Sequence, residues 1–175
     1  MKTNNMLRLI LLIALLPLLF SCNQKRDVSR ENGWYYILDN RKDSISDEPI
    51  VTVKDFVTLR LDSSEMSGQP FYEIVGRVSK YKLNTWGDAT EKAIGKRIGF
   101  VYNNEVITCP QVNMRLESGN FSISNPAYDI KDLFYHIRQE KMDSIENVFK
   151  SRGRDSLFYS LPQNEIDSII MEIDY

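Results

Sequence analysis

Histidine, cysteine and glycine are scarce in this 175-residue chain, with one, two and eight copies. A lone His136 leaves no His-rich ligand set and no His-Glu-x-x-His pair. The eight glycines are scattered, with no phosphate-cradling loop and no Gly-x-Ser-x-Gly elbow. Two cysteines, Cys22 and Cys109, cannot make a paired-Cys metal motif or a disulfide framework. Charge of one sign is missing as well: 22 basic and 24 acidic side chains are mixed along the chain, for a net of −2. A nucleic-acid binder needs a concentrated basic face, so that class is excluded. After residue 20 there is no second apolar run long enough to span a bilayer.

What is present starts with residues 1–21. Lys2 and Arg8 form a positive end, residues 9–20 are an apolar run interrupted by Pro17, and Ser21 precedes Cys22. The run falls short of the roughly twenty residues needed to span comfortably. It reads as a targeting segment, to be kept out of fold reasoning. Leu19-Phe20-Ser21-Cys22 resembles a lipobox, in which the cysteine is acylated and becomes the mature N-terminus. An ordinary signal peptide with an incidental cysteine, or a short membrane anchor, is the alternative. Two or more acyl chains on Cys22 would hold the protein durably, whereas one is marginal. Cys109 is then unpaired. It has no cationic neighbour in sequence to activate it and reads as a small apolar residue. Residues 22–32 are polar and read as a tether.

With 42% hydrophobic and 26% charged residues, the remainder suits one domain. Residues 34–38 form a first strand candidate and residues 49–56 a short helical connection. Val57, Leu59 and Leu61 alternate with polar residues as a half-buried strand, and residues 71–78 form another, in which Gly76 marks a bulge or a close backbone approach. Residues 81–94 are a helix whose Trp86, Ala89, Thr90, Ala93 and Ile94 form one apolar stripe. Trp86 on that stripe reads as core before it reads as an exposed binding aromatic. Residues 97–102 and 105–109 flank Asn103-Asn104, a signal for a primed turn, since Asn tolerates positive φ. Residues 121–123 form a last strand. Asn125 followed by Pro126 reads as a cap and first position of a helix whose buried face is Ile130, Leu133, Phe134 and Ile137. Asp129 with Asp132, and Glu172 with Asp174, read as solvated faces, and His136 as a structural residue.

The order of signals in residues 90–123 carries a resemblance to SecD, the accessory subunit of the bacterial Sec translocase. In the first extracytoplasmic head subdomain of that family a helix ends in Thr-x-x-x-(Ile/Val)-Gly-Lys. A strand, a polar turn, a Val-(Ile/Leu)-(Ser/Thr)-x-Pro run and a Gly before an alternating strand follow. Here those positions are Thr90, Ile94, Gly95, Lys96, Asn103, Val106, Ile107, Thr108, Pro110 and Gly119. The resemblance covers residues 33–140. It implies an α+β, ferredoxin-like fold, an antiparallel sheet with helices packed on one face. Residues 141–175 lie beyond it and read as a helical extension of two or three short helices, with Gly153 and Pro162 as breaks. Asp43, Asp143, Asp155 and Asp167 each begin an Asp-Ser-apolar triplet. These triplets look like an O-glycosylation acceptor pattern, although Asp and Ser are also ordinary cap and turn residues.

SecD is a multispan protein, and this chain lacks its membrane part. The expectation is therefore a non-catalytic binding module in the cell envelope, outside the cytoplasm. It would be attached to a bacterial membrane through Cys22, without metal or cofactor, and would contact exported unfolded polypeptide. The alternative is an accessory lipoprotein docking on a membrane protein partner such as the Sec machinery. An enzyme of unknown type comes third.

Overall fold

Strand signals at period two dominate the folded part, and in the computed structural model they become seven strands among the described residues, which are 29–39, 44–66 and 68–151. In chain order these are β1 (Gly33–Tyr36), β2 (Val51–Thr52), β3 (Phe56–Met66), β4 (Gln69–Val78), β5 (Ile98–Tyr102), β6 (Glu105–Thr108) and β7 (Asn120–Ile123). Two helices, α1 (Leu83–Lys92) and α2 (Ile130–Ser151), complete the α+β architecture. Every strand pairing is antiparallel. The strands divide between two sheets, however, in the orders β2-β1-β5-β6 and β3-β4-β7.

An aromatic cluster joins the sheets. Trp34 and Phe100 come from the four-stranded sheet, Phe56 and Phe121 from the three-stranded one, and Trp86 from α1. Phe56 and Phe121 lie 4.3 Å apart between ring centroids, and Trp34 meets Trp86 edge-on at 5.7 Å. All five rings are buried, and such pairs add to their area burial when offset or edge-on. Gly76 is the close approach expected inside β4. A Cβ there would sit 2.3 Å from Cζ of Phe121, so the ring occupies the space that a side chain would need.

The β5–β6 turn is the primed turn that Asn103 and Asn104 announce, with φ of 49° and 66°. On α1, Trp86, Ala89 and Thr90 are buried as the stripe requires, as is Ala93 at its C-cap, but Ile94 is 49% exposed. The helix ends at Lys92 and the chain reverses at Gly95, with φ of 78°, carrying Ile94 off the stripe to bridge Val112.

Four expectations change. Asn125 does not cap α2, because its amide donates to the Ile107 carbonyl (2.6 Å) while its Oδ1 accepts the Ala127 N–H (2.9 Å). Asp129 caps the helix instead, its Oδ1 accepting the N–H groups of Lys131 and Asp132 at 3.1 and 3.0 Å. β3 continues to Met66, beyond the alternating residues, because β4 pairs with it along its length. Residues 49–56 hold β2 and only a short 3-10 turn, Val53–Asp55. Finally, α2 runs unbroken through residue 140 to Ser151, so Ile145 and Val148 belong to the same helix as Ile137. The triplet at Asp143 lies inside this helix and caps nothing. The other three triplets, Gly153, Pro162, Glu172 and Asp174 fall wholly or partly outside the described residues.

Candidate binding groove

The connection after β6 builds one wall of a groove. Arg115 on this connection reaches α1, its Nη1 contacting Asp88 at 2.8 Å and Glu91 at 2.7 Å. The guanidinium lies over Gly87, where a Cβ would meet Nη2 at 3.0 Å, so this glycine makes room for the clamp. One residue on, the N–H of Leu116 donates to Thr90 Oγ1 (3.0 Å), and that hydroxyl donates to the Trp86 carbonyl (2.9 Å). A fully buried Thr90 is thus satisfied on both sides.

Between this wall and β7 lies an apolar groove of about 380 Å³. Trp34, Trp86 and Phe121 line it together with Val112 and Met114 from the connection, and Ser122 lies on its β7 side. Met114 is 64% exposed, a large apolar side chain at the wall. The indole N–H groups of Trp34 and Trp86 are buried with no hydrogen-bond partner. Such groups cost free energy until an acceptor reaches them. β7 is the last strand of its sheet, so one of its edges is unpaired among the described residues. The edge strand β6 differs, since Asn125 occupies the Ile107 carbonyl. The lining is mainly apolar, and the Ser122 hydroxyl on its β7 side donates to the Glu73 carboxylate.

A second cavity, about 360 Å³, is polar and lies where the chain enters the domain. Asn32 bridges it, its Nδ2 donating to Glu140 Oε2 (2.6 Å) and its Oδ1 accepting the Asn103 N–H (2.7 Å). Burial pushes the Glu140 carboxyl above its ordinary pKa, against the opposing pull of the Asn32 hydrogen bond and the Lys54 charge. A third cavity, about 330 Å³, holds His136 with Asp129 and Asp132. His136 Nδ1 is 3.4 Å from Asp132 one turn earlier, and both side chains are exposed. Asp129 is used as the cap. Among the described residues no three His, Cys, Asp or Glu side chains could hold a metal. Cys109 is half-buried rather than buried. Cys22 lies outside the described residues.

Trp86 and the connection were legible in sequence, but the groove was not. Its residues come from β1, α1, β5, β7 and residues 110–116, and the signal that could have pointed to it is the apolar Met114 beside Val112 and Pro110.

Antiparallel sheets with two helices define a domain of α+β type. The SecDF P1 head subdomain family matches residues 32–140, more than half of the chain, and the chain belongs to that family. A crystal structure of SecDF in a super-membrane-facing form is 19% identical, with a TM-score of 0.43, covering 52% of this chain and 12% of that one. A structure of the membrane component SecDF that enhances protein export is 18% identical, with a TM-score of 0.45, covering 55% of this chain and 42% of that one. The chain therefore spans less than half the length of either. No curated protein matches it.

Proposed function

We propose that this SecDF P1 head-like protein is a non-catalytic module of protein export, held on a bacterial membrane through acylated Cys22 with its domain outside the cytoplasm. In this reading it contacts exported, unfolded polypeptide. The observation that supports this most is the apolar groove beside β7, whose outer edge is unpaired among the described residues, with the exposed Met114 at its wall. An extended chain can add backbone hydrogen bonds along such an edge and set an apolar side chain in the groove without demanding a sequence. No helix among the described residues is long and apolar enough to cross a membrane, and we read binding and release as passive. A passive holder has to let go, so dissociation constants of about micromolar or weaker are expected.

The test is a titration of the full chain in lipid nanodiscs with an unfolded secretory polypeptide, followed by amide chemical shifts. Shifts are expected at residues 112–116 and 120–123, and Met114→Glu should abolish them. Absence of shifts at about millimolar peptide would overturn the polypeptide reading and move docking on a membrane protein partner, such as the Sec machinery, ahead of it.

A further inference from the structure

β3 is the other end of the three-stranded sheet. Its residues, Val57 at a bulge excepted, pair with β4 on one side, and among the described residues no strand pairs with its other edge. β7 covers only residues 74–77 of β4, so the far half of the β3–β4 hairpin is a two-stranded ribbon. Ribbons of that kind are marginal without a further strand. Leu59 and Leu61 pack toward the core. The alternate residues Thr58, Arg60, Asp62 and Ser64 share the opposite face. There the Arg60 guanidinium contacts Asp62 within the same strand, Nε to Oδ1 at 2.6 Å and Nη2 to Oδ2 at 2.7 Å. The two side chains are 70% and 39% exposed.

We propose that this edge is a self-association surface, on which β3 pairs antiparallel with β3 of a second copy about a two-fold axis at Leu61. In that register Arg60 stands opposite Asp62 of the second copy, and symmetry repeats the pair. Thr58 faces Ser64, Leu59 faces Ser63, and Leu61 faces its own equivalent on the core side. Directly opposed charges and hydroxyl pairs of this kind stabilise a sheet, whereas like charges oppose it. The register is selected. A shift that keeps each residue on its own face must move the axis by a whole residue. An axis at Arg60 opposes two arginines, and one at Asp62 opposes two aspartates. An unrelated extended segment would gain the same backbone bonds but would match these charges only by accident, so the second copy is the partner that fits. The product is one continuous sheet in the order β7-β4-β3-β3-β4-β7, with an isologous interface and a third strand for each ribbon.

The test uses charge exchange on the full chain in detergent micelles, read by sedimentation. The parent protein should form a reversible dimer with a dissociation constant below about 1 mM. Arg60→Asp and Asp62→Arg should each weaken it about tenfold or more, because each opposes like charges twice. An equimolar mixture of the two variants should dimerise again as a heterodimer, and the double exchange Arg60→Asp with Asp62→Arg should restore the homodimer. Circular dichroism melting of each variant alone checks that it is folded. A parent protein that stays monomeric up to about 1 mM, a dimer indifferent to the single exchanges, or folded variants that fail to recover on mixing would each overturn the proposal.

Discussion

Gly76→Ala tests whether the two sheets meet as tightly as the aromatic cluster implies. The added Cβ would lie 2.3 Å from Cζ and 2.6 Å from Cε2 of Phe121, and 2.9 Å from the Thr58 carbonyl oxygen. Carbon atoms rest at about 3.5 Å or more, so the ring has to retreat by more than about 1 Å. It has little room, with Phe56 at 4.3 Å, Trp34 at 6.0 Å and Trp86 at 6.3 Å between centroids. The Thr58 oxygen is backbone of β3 and cannot turn away. Overpacking of this sort costs about 1–3 kcal/mol, offset by about 0.4–1 kcal/mol from the stiffer unfolded chain. The net expectation is a loss of about 1–2 kcal/mol. With a urea slope of about 1–2 kcal/mol/M, the unfolding midpoint should drop by about 1 M. The same substitution in a Phe121→Leu background should cost less, because the ring atoms are gone and the two sites are coupled. A midpoint unchanged by Gly76→Ala, or an equal loss in both backgrounds, would refute the packing argument.

Four other outcomes are expected. At the β5–β6 turn, Asn103→Gly should be neutral or stabilising, since it keeps the backbone N–H bonded to Asn32. Asn104→Gly forfeits the bond from the Arg30 N–H to Oδ1, and Asn104→Val adds backbone strain and should cost about 1 kcal/mol or more; thermal melting ranks the three. Asp129→Ala should cost about 1 kcal/mol as a lost helix cap, whereas Asn125→Ala should leave the hydrogen-exchange protection of the first turn of α2 unchanged. Glu140 has a folded pKa raised by burial, so its contribution to stability is full below its ordinary pKa and is lost as pH rises through the folded value. Glu140→Gln should therefore gain on the parent protein through that window in urea titrations at successive pH, and parallel curves would refute this. Mass spectrometry of the membrane fraction should find Cys22 acylated at the mature N-terminus; a soluble protein with unmodified Cys22 would count against the anchor.

Local chemistry made much of this protein legible from its residues. Asn103 and Asn104 could take positive φ, and the turn formed there. Trp86, Ala89, Thr90 and Ala93 recurred at helical spacing and became the buried face of α1 and its C-cap, and Gly76 marked a close approach. The ordered signals from Thr90 to Gly119 pointed to the SecD head, and the family match covers them. Where a polar group had a choice of partner, tertiary structure decided. Asn125 had the right neighbour for a cap, yet the Ile107 carbonyl, eighteen residues away, lay within reach of its amide and took it. A glycine inside a helix costs stability, yet at Gly87 the absent side chain leaves the space that Arg115 fills. The groove, the division into two sheets and the open edge of β3 depend on surfaces that distant segments present to one another. Periodicity reports which side of an element is apolar; it does not report which other element covers that side, because that choice is made by the packing of the whole chain.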